Sequence, residues 1–249
     1  MSLNPQHETW YFIQRCLAAL MLLALSPLLL VLAAVVKATS RGPVLYSQSR
    51  PGLGGQPIQV WKFRTMKPGS DRDPTKARAV TSRDPQVTAI GRILRNLKLD
   101  ELPQLWNVVR GDMAIVGPRP IAFSLFEELC VAIPGFERRL HVRPGLTNVG
   151  QVCIEENAGQ EHVIDDWKLR FEAEQHHLML HSPQYDLVVI GMTAVYIAAK
   201  LGRALRGRRI KAQRLAGYSA SICALQSAQS DTIKSRWARS KRFGAARVA

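Results

Sequence analysis

The chain has 249 residues, of which 34 are Lys or Arg and 19 are Asp or Glu, so its formal net charge is +15. Hydrophobic residues make up 47% of the sequence, which excludes a wholly disordered chain and suits one globular core of ordinary size. A charge this positive calls for an anionic partner, and the candidates are nucleic acid, anionic lipid and phosphate-rich substrates.

The positive charge is concentrated at the C-terminal end. Residues 200–249 contain 13 basic residues and the single acid Asp231, a net charge of +12, whereas the first 199 residues carry only +3. The nearly balanced body weakens the hypothesis of a basic globular face that binds nucleic acid. We therefore expect residues 201–249 to form a basic, flexible tail that lies against anionic lipid.

An apolar run near the N-terminus has the length of a membrane segment. Residues 16–36 contain no charge and are interrupted only by Ser26 and Pro27. As a helix the run would measure about 31 Å, close to the hydrocarbon thickness of a bilayer. It ends at Lys37 without a small-residue cleavage site, which disfavours a secretory signal peptide. Because Pro27 removes a backbone hydrogen bond from Leu23, a spanning helix and a hairpin bent at Ser26-Pro27 are equally compatible with composition.

The segment after Lys37 reads as soluble sequence with short strands and turns. Residues 41–66 alternate apolar pieces with Gly and Pro, and they predict a β-hairpin whose turn contains Gly52, Gly54 and Gly55. The glycine spacing fits neither a Walker loop nor a dinucleotide fingerprint. Residues 67–85 are polar and rich in turn formers, so we expect a mobile loop there.

Two helices are predicted between Ile90 and Gly111. The second has an apolar stripe at i, i+3, i+4 and i+7, formed by Leu102, Leu105, Trp106 and Val109. Pro103 is tolerated only in a first helical turn, and Gly111 ends the helix. Asp100 and Glu101 therefore fall at a helix N-terminus, where free N–H groups favour negative charge.

The second half of the chain predicts a strand, two proline turns and two helices. Residues 113–121 form a short apolar strand that ends in Pro-Arg-Pro, so Arg119 is restricted on both sides. A second turn, Arg-Pro-Gly, begins at Arg143. Residues 160–181 are polar and helical in pattern. Residues 187–199 are apolar but too short to span a bilayer, which predicts an interfacial or buried helix.

Adjacent acids at a helix start have an ordinary explanation as a cap and a first-turn residue. The cations in neighbouring motifs favour phosphate binding instead, because ammonium and guanidinium groups pair with phosphate oxygens. These cations are Lys62, Arg64, Arg92, Arg95, Lys98, Arg119 and Arg143. A carboxylate among them would stay ionised and act as a nucleophile on phosphorus, and two adjacent acids beside phosphates suit Mg²⁺.

Two groups of side chains have simpler explanations. For Arg64 and Arg95, an ion pair with Asp84 or Asp112 is as good an interpretation as phosphate binding. Three histidines invite the hypothesis of a metal site, but no Cys or acid cluster joins them, and a polar helix face is favoured. The three are His176, His177 and His181.

The sequence resembles the bacterial sugar transferase family, the monotopic polyprenol-phosphate phosphoglycosyltransferases. The matching pieces are the Ser26-Pro27 apolar segment, SRGPVLYSQSRPG, WKFRTM, DPQVTAIGRILRNLKLDELPQLWNVVRGDMAIVGPRP and VRPGLTNVGQV, in the same order over about residues 10–200. The resemblance implies an α+β fold with a small mixed α/β catalytic domain at 41–200 on the membrane surface. An N-terminal re-entrant hairpin at 1–40, bent at Ser26 and Pro27, and interfacial helices would hold that domain on the cytoplasmic face of the bacterial inner membrane.

The resemblance also implies a two-step reaction. Asp100 would attack the sugar-bearing phosphate of a nucleoside diphosphate sugar, usually a UDP-sugar, and UMP would leave. Polyprenol (undecaprenyl) phosphate would then take the phosphosugar from the enzyme and start exopolysaccharide or O-antigen-like synthesis. Glu101 would assist either through the metal or as a base for the lipid phosphate, and Mg²⁺ at Asp100 and Glu101 would offset the diphosphate charge. Phosphate-binding residues would be Arg119, Lys62, Arg64, Arg95 and Arg143.

Other implications concern partners. Membrane lipid, a second copy of the chain in a homodimer, and downstream glycosyltransferases are expected, and nucleic acid is not. Two departures from the family pattern leave the sugar open: Asn148-Val149-Gly150-Gln151 replaces a usual Gly-Trp-Ala-Gln, and a usual Tyr-Asp is replaced near Phe171-Glu172. The alternative hypothesis, from a different class, is a membrane-anchored binding protein that uses the basic tail on nucleic acid or anionic lipid.

Overall fold

The computed structural model describes residues 5–70, 84–153, 163–180 and 182–205. Most of the polar loop predicted at 67–85 and most of the basic tail predicted at 201–249 lie outside the described residues. In chain order the elements are α1 (Pro5–Thr39), β1 (Leu45–Pro51), β2 (Pro57–Phe63), α2 (Ala89–Leu97), α3 (Leu105–Arg110), β3 (Ala114–Val116), α4 (Phe123–Ala132), β4 (Gly145–Thr147), α5 (Val149–Cys153), α6 (Val163–Leu180) and α7 (Pro183–Leu205). Among the described residues, 3₁₀ segments cover Leu53–Gly55, Leu99–Gln104 and Phe136–His141.

The strands of the described residues form two small sheets. β1 and β2 pair antiparallel, with Leu45 opposite Phe63 and Pro51 opposite Pro57, so the predicted hairpin is confirmed. Its turn places Gly54 and Gly55 at φ 64° and 77°, the left-handed region that glycine tolerates best. β3 and β4 pair parallel. The mixed helix and sheet composition of the predicted α+β class is confirmed.

The segment that carries the two acids is bounded by helix caps. Thr88 caps α2, its Oγ1 accepting from the Gly91 N–H at 3.0 Å. Lys98 ends α2 in the left-handed region at φ 59°, and the chain then makes the 3₁₀ segment Leu99–Gln104 before entering α3. Gly111 ends α3 at φ 85°, as predicted. Asp100 and Glu101 therefore lie in the turn that leads into a helix.

The predicted apolar stripe of α3 is wrong at Trp106. This side chain is 51% exposed, whereas Leu105 and Val108 are fully buried. Because α3 packs between α1 and β2, its inner face is centred on Leu105 and Val108, and Trp106 is turned to the surface.

Three apolar clusters form the described core, and α1 contributes to two of them. Ala18 packs with Leu105 and Val108 in the first cluster, whereas Val36 packs with Phe63 and Leu94 in the third. The second cluster surrounds the buried ring of Phe136 between α4 and α6. The N-terminal helix is thus part of the fold along most of its length.

α1 is one helix of 35 residues that includes Pro27. The Ser26 hydroxyl donates to the Leu23 carbonyl at 2.7 Å, which is the carbonyl that Pro27 cannot satisfy. By length and composition, residues 8–39 and Pro183–Gly202 are the two described segments long and apolar enough to cross a membrane. The outer face of α1 exposes large apolar side chains such as Leu20, Leu23 and Leu30.

The apolar run at 187–199 predicted a helix too short to span a bilayer. In the structure, α7 extends beyond that run on both sides and has 23 residues. Its buried Asp186 accepts hydrogen bonds from Trp10 Nε1 at 2.7 Å and Gln14 Nε2 at 3.2 Å. His177 of α6 lies beside the same carboxylate, with Nδ1 at 3.5 Å from Oδ1. The predicted polar helix face is therefore wrong for His177, which is buried beside Asp186 and the Tyr185 ring of α7.

A tight crossing of two glycines lets the parallel strands approach. A Cβ added to Gly145 would lie 2.0 Å from the Gly117 backbone N, so a side chain has no room there.

We expect Gly145→Ala to lower the free energy of unfolding by about 1–3 kcal/mol through overpacking. Thermal unfolding in detergent measures this. Gly191→Ala on α7 is the matched control, because no described atom lies within 4 Å of its added Cβ. Equal unfolding temperatures for the two variants would contradict the crossing.

Candidate active site

The two adjacent acids are buried between β2, the 3₁₀ segment and the Pro-Arg-Pro turn. Asp100 is 7% exposed and Glu101 is 8% exposed. Burying charged carboxylates is costly unless opposite charges or hydrogen bonds compensate. Their surroundings therefore decide what each acid can do.

Glu101 is held by two cations from different parts of the chain. Lys62 Nζ on β2 lies 2.7 Å from Glu101 Oε1. Arg119 reaches the same oxygen through Nη2 at 2.9 Å and the other oxygen through Nη1 at 3.5 Å. Burial alone would raise the pKa of Glu101, but the charges of Arg119 and Lys62 outweigh it and hold the pKa well below its usual value. Glu101 is therefore a fixed carboxylate with both oxygens engaged.

The pKa of Asp100 is shifted in the opposite direction. Burial raises its pKa, the adjacent Glu101 charge raises it further, and Lys62, Lys98 and Arg95 partly offset the two effects. Asp100 Oδ1 is buried without a hydrogen-bond partner among the described residues. Environments that push the pKa values of two neighbouring acids apart commonly give them different chemical roles. Asp100 has an oxygen available to react or to bind a ligand, and Glu101 does not.

The basic side chains around the two acids outnumber them. Five basic residues are electrostatically coupled to Asp100 or Glu101, namely Arg50, Lys62, Arg95, Lys98 and Arg119. Burial lowers the pKa of Lys62 and lowers that of Arg50 to about 10, with the Arg119 charge adding to both effects. Cations held in low dielectric at this density favour an anion that carries more than one negative charge. The surplus of positive charge around Asp100 and Glu101 therefore suits a diphosphate.

Three of the five cations predicted to bind phosphate lie at this site. Lys62 and Arg119 contact Glu101 directly. Arg95 is near enough to lower the pKa of Asp100, and its Nε donates to Thr65 Oγ1 at 2.9 Å.

The other two predicted cations lie beside the ends of α1. Arg64 is buried, and its Nη2 donates to the Ser40 carbonyl at 2.6 Å, just past the last residue of α1. Arg143 stacks on the Tyr11 ring, with Cζ 4.2 Å from the ring centre. These contacts give both arginines a part in docking α1. Asp112, considered above as a partner for Arg64 or Arg95, pairs with Arg110 at 3.2 Å.

Sequence reasoning missed Arg50. Its Nη1 donates to the Pro120 carbonyl and its Nη2 to Gln48 Oε1 at 2.9 Å, so it lies directly beside the Pro-Arg-Pro turn. A signal was present, because Arg-Pro occurs three times in the chain, at 50–51, 119–120 and 143–144. The first two meet through the bond from Arg50 to the Pro120 carbonyl, and the third leads into β4, whose first residue, Gly145, donates to the Pro118 carbonyl.

The two departures from the family pattern lie in packed regions. Asn148 is buried and its Nδ2 donates to the Gly117 carbonyl at 3.3 Å, so it contacts the backbone just before the Pro-Arg-Pro turn. Phe171 is buried in the aromatic cluster around Phe136, at 5.1 Å between ring centres. Asn148 therefore contacts the backbone that leads to the Pro-Arg-Pro turn, and Phe171 contributes to the apolar core.

Of the two acids, only Asp100 offers a hard divalent cation an available carboxylate oxygen. Within the described ranges, no group of three or more His, Cys, Asp or Glu side chains could hold a metal alone. Asp100 Oδ1 is an available carboxylate oxygen, and Mg²⁺ commonly takes one or two carboxylates together with substrate phosphates and water. Glu101 is adjacent, although both its oxygens already face cations.

Comparison with known proteins identifies a family and several related sequences. The model of the bacterial sugar transferase family matches residues 8–200. The chain is 40% identical over 176 residues to the UDP-glucose:undecaprenyl-phosphate glucose-1-phosphate transferase of Klebsiella pneumoniae, covering 71% of this chain and 37% of that protein. It is 41% identical over 173 residues to the protein of the same name from Caulobacter vibrioides, covering 70% and 63%.

The match to a shorter relative extends over most of that protein's length. The exopolysaccharide production protein ExoY of Sinorhizobium fredii is 35% identical over 199 residues, which cover 75% of this chain and 84% of the relative. The match to the Klebsiella protein, in contrast, covers little more than a third of that protein. The family model covers more than three quarters of this chain and includes both acids and the Pro-Arg-Pro turn. The chain therefore belongs to the bacterial sugar transferase family.

Proposed function

We propose that this protein is a phosphoglycosyltransferase that moves a sugar 1-phosphate from a UDP-sugar to undecaprenyl phosphate. The observation that carries the proposal is the unequal pair of acids. Glu101 is neutralised by Lys62 and Arg119, whereas Asp100 keeps a buried oxygen without a hydrogen-bond partner among the described residues. The named Klebsiella and Caulobacter relatives act on UDP-glucose and undecaprenyl phosphate, which supports the same class of substrates here.

In the first step a carboxylate oxygen of Asp100 attacks the phosphorus that bears the sugar. The new bond is an acyl phosphate, the bond to the nucleotide phosphate breaks, and UMP leaves with the electron pair. The raised pKa of Asp100 makes its ionised form a stronger nucleophile than an exposed carboxylate. The surrounding cations stabilise the charge on the transferring phosphoryl group and on the departing UMP.

In the second step a phosphate oxygen of undecaprenyl phosphate attacks the same phosphorus. The bond to Asp100 breaks, so the carboxylate is regenerated and undecaprenyl diphosphate sugar is released. Lys62 and Arg119 are fixed on Glu101 before substrate binds, and this preorganisation places donors beside both phosphates without reorganisation during the reaction. Glu101 acts through these cations.

The resemblance predicts Mg²⁺ at Asp100 and Glu101, and of these two acids Asp100 would hold it. When bound, Mg²⁺ would offset the negative charge of the diphosphate. The available oxygen of Asp100 supports this assignment more strongly than Glu101, whose oxygens already contact Lys62 and Arg119.

A re-entrant position for α1 in the inner membrane, with the catalytic domain in the cytoplasm, suits this reaction because a lipid phosphate lies at the interface. Two contacts support the position. Arg15 near one end of α1 donates to the Val109 carbonyl at 2.9 Å, and Val36 near the other end packs with Phe63 and Leu94. Both ends of α1 rest on one domain, which is difficult to combine with ends on opposite faces of a bilayer.

The product would be the lipid-linked first sugar of an exopolysaccharide or O-antigen-like glycan, and glycosyltransferases that extend it are the expected next enzymes. The ExoY name supports the exopolysaccharide connection. A homodimer stays a prediction. The alternative of a tail-dependent binding protein rests on residues that lie almost wholly outside the described ranges, and no described contact favours it.

We expect Asp100→Asn to reduce UMP release from UDP-sugar by about 1,000-fold or more, since the amide cannot attack phosphorus. Purified protein in detergent with Mg²⁺ and undecaprenyl phosphate is assayed across a panel of UDP-sugars. Asp165→Asn is the control, because Asp165 is exposed on α6. Without the lipid, mass spectrometry of the wild type should show one added phosphosugar. Unchanged UMP release by Asp100→Asn would refute the mechanism.

We expect UMP release to fall as the pH drops through the raised pKa of Asp100, because only its ionised form attacks. Lys98 lowers that pKa, so Lys98→Gly should move the acid limb of the rate profile to higher pH. Glycine suits the φ of 59° at this position, which protects the fold. Arg92→Gln, a change of an exposed residue on α2, is the control. A shift of the limb to lower pH would be the contrary result.

Cysteine labelling tests the position of α1. Single cysteines replace Glu8 or Arg41 in a chain whose four native cysteines are serine. In a re-entrant arrangement a membrane-impermeant maleimide labels both positions in inverted vesicles and neither in intact spheroplasts. Leu23→Cys, on the exposed apolar face, should resist labelling in both preparations. Labelling of Glu8→Cys only from the outer side would indicate a spanning helix.

A further inference from the structure

The Pro118–Pro120 turn has few hydrogen-bond donors of its own. Pro118 and Pro120 lack an N–H group, so the turn offers three carbonyls and a single backbone donor. All three carbonyls accept from outside the turn. Pro118 accepts from the Gly145 N–H at 2.9 Å, Arg119 accepts from Arg139 Nη2 at 2.9 Å, and Pro120 accepts from Arg50 Nη1. The position of the Arg119 backbone therefore depends on these external donors.

The donor to the Arg119 carbonyl is itself held rigidly. Arg139 pairs with Glu174 of α6 through two contacts, Nε to Oε2 at 2.7 Å and Nη2 to Oε1 at 3.1 Å. The Arg139 side chain is 4% exposed and that of Glu174 is 2% exposed. The guanidinium also lies over two rings, 4.7 Å from the centre of Phe136 and 5.2 Å from that of Trp167. Its direction is fixed by charge and by packing.

A buried ion pair is weak evidence for stability, because apolar residues of similar volume often serve as well. A planar guanidinium differs from an apolar side chain in directing several N–H groups at fixed angles. Here two of its contacts bind Glu174, and Nη2 also serves the Arg119 carbonyl. Asn148 Nδ2 donates to Glu174 Oε1 at 3.1 Å and to the Gly117 carbonyl at 3.3 Å, so the pair is tied to both sides of the turn.

We infer that Arg139 and Glu174 are positioning residues for Arg119. They fix the backbone of the Pro-Arg-Pro turn from behind, so that the Arg119 guanidinium meets Glu101 and a phosphate of the nucleoside diphosphate sugar at the same place. The inference rests on the proposed function in one respect, since it takes Arg119 to contact that phosphate. Arg139 and Glu174 act only through Arg119.

Arg139→Lys is the first test. Lysine keeps the positive charge but has a single nitrogen, so it cannot reproduce the planar arrangement in which Nε and Nη2 bind Glu174 while Nη2 also donates to the Arg119 carbonyl. We expect kcat/KM for the UDP-sugar to fall about 10-fold or more, because small displacements of a binding group are costly. Arg138→Lys, at the exposed neighbouring position, should leave kcat/KM unchanged. Glu174→Gln, which keeps the volume, provides a second variant if Arg139→Lys unfolds, as judged by circular dichroism.

A double-mutant cycle separates positioning from general structural support. In an Arg119→Ala background, Arg139→Lys should change kcat/KM by less than about 2-fold, since the group that it positions is gone. A pair that only supports the fold would reduce activity by the same factor in both backgrounds, and that result would overturn the inference.

Binding of inorganic pyrophosphate provides a readout that does not need turnover. Calorimetry should show weaker binding to Arg139→Lys than to wild type, and equal binding to Arg138→Lys and wild type. If wild type releases no UMP but binds pyrophosphate in this Arg139-dependent way, the proposed reaction fails and the positioning stands. If UMP release depends on Asp100 but neither kcat/KM nor pyrophosphate binding responds to Arg139→Lys, the positioning is overturned and the proposed function stands. A wild type that neither binds pyrophosphate nor releases UMP would overturn both.

Discussion

The contact on which the site depends is the pairing of Glu101 with Lys62 and Arg119. Two cations lie within 3 Å of this buried carboxylate, so its negative charge is compensated and the positions of all three side chains are fixed. It leaves Asp100, the preceding residue, as the acid with an oxygen available in a field of surplus positive charge. The adjacent acids thus lie in different environments: Glu101 pairs with the cations, and Asp100 is the acid that we propose as the nucleophile.

Three separate parts of the fold meet to make this contact. The β1–β2 hairpin supplies Lys62, the capped segment between α2 and α3 supplies the acids, and the turn after β3 supplies Arg119. The crossing at Gly145 and the pair of Arg139 with Glu174 hold that turn from the other side. Because each part is short, the precision of the site comes from these tertiary contacts rather than from long regular elements.

The apolar helix α1 also supports the site. α1 packs against α3 and β3 near its start and against β2 and α2 near its end, so it supports the elements that carry the site. Arg64 and Arg143, which sequence reasoning placed with the phosphate-binding cations, contact α1 or the residue that follows it. The proposed membrane position of α1 and the geometry of the site are therefore physically linked through this helix.

The sequence by itself determined the local features: the hairpin turn at its glycines, the end of α3 at Gly111, and the position of Asp100 and Glu101 at the start of a helix. These follow from neighbouring residues, whose preferences are readable along the chain. Tertiary structure alone decided which cations reach the acids, the exposure of Trp106, the burial of His177 and the roles of Arg50 and Arg139. These depend on contacts between residues far apart in the chain, and a residue type cannot specify its distant partner.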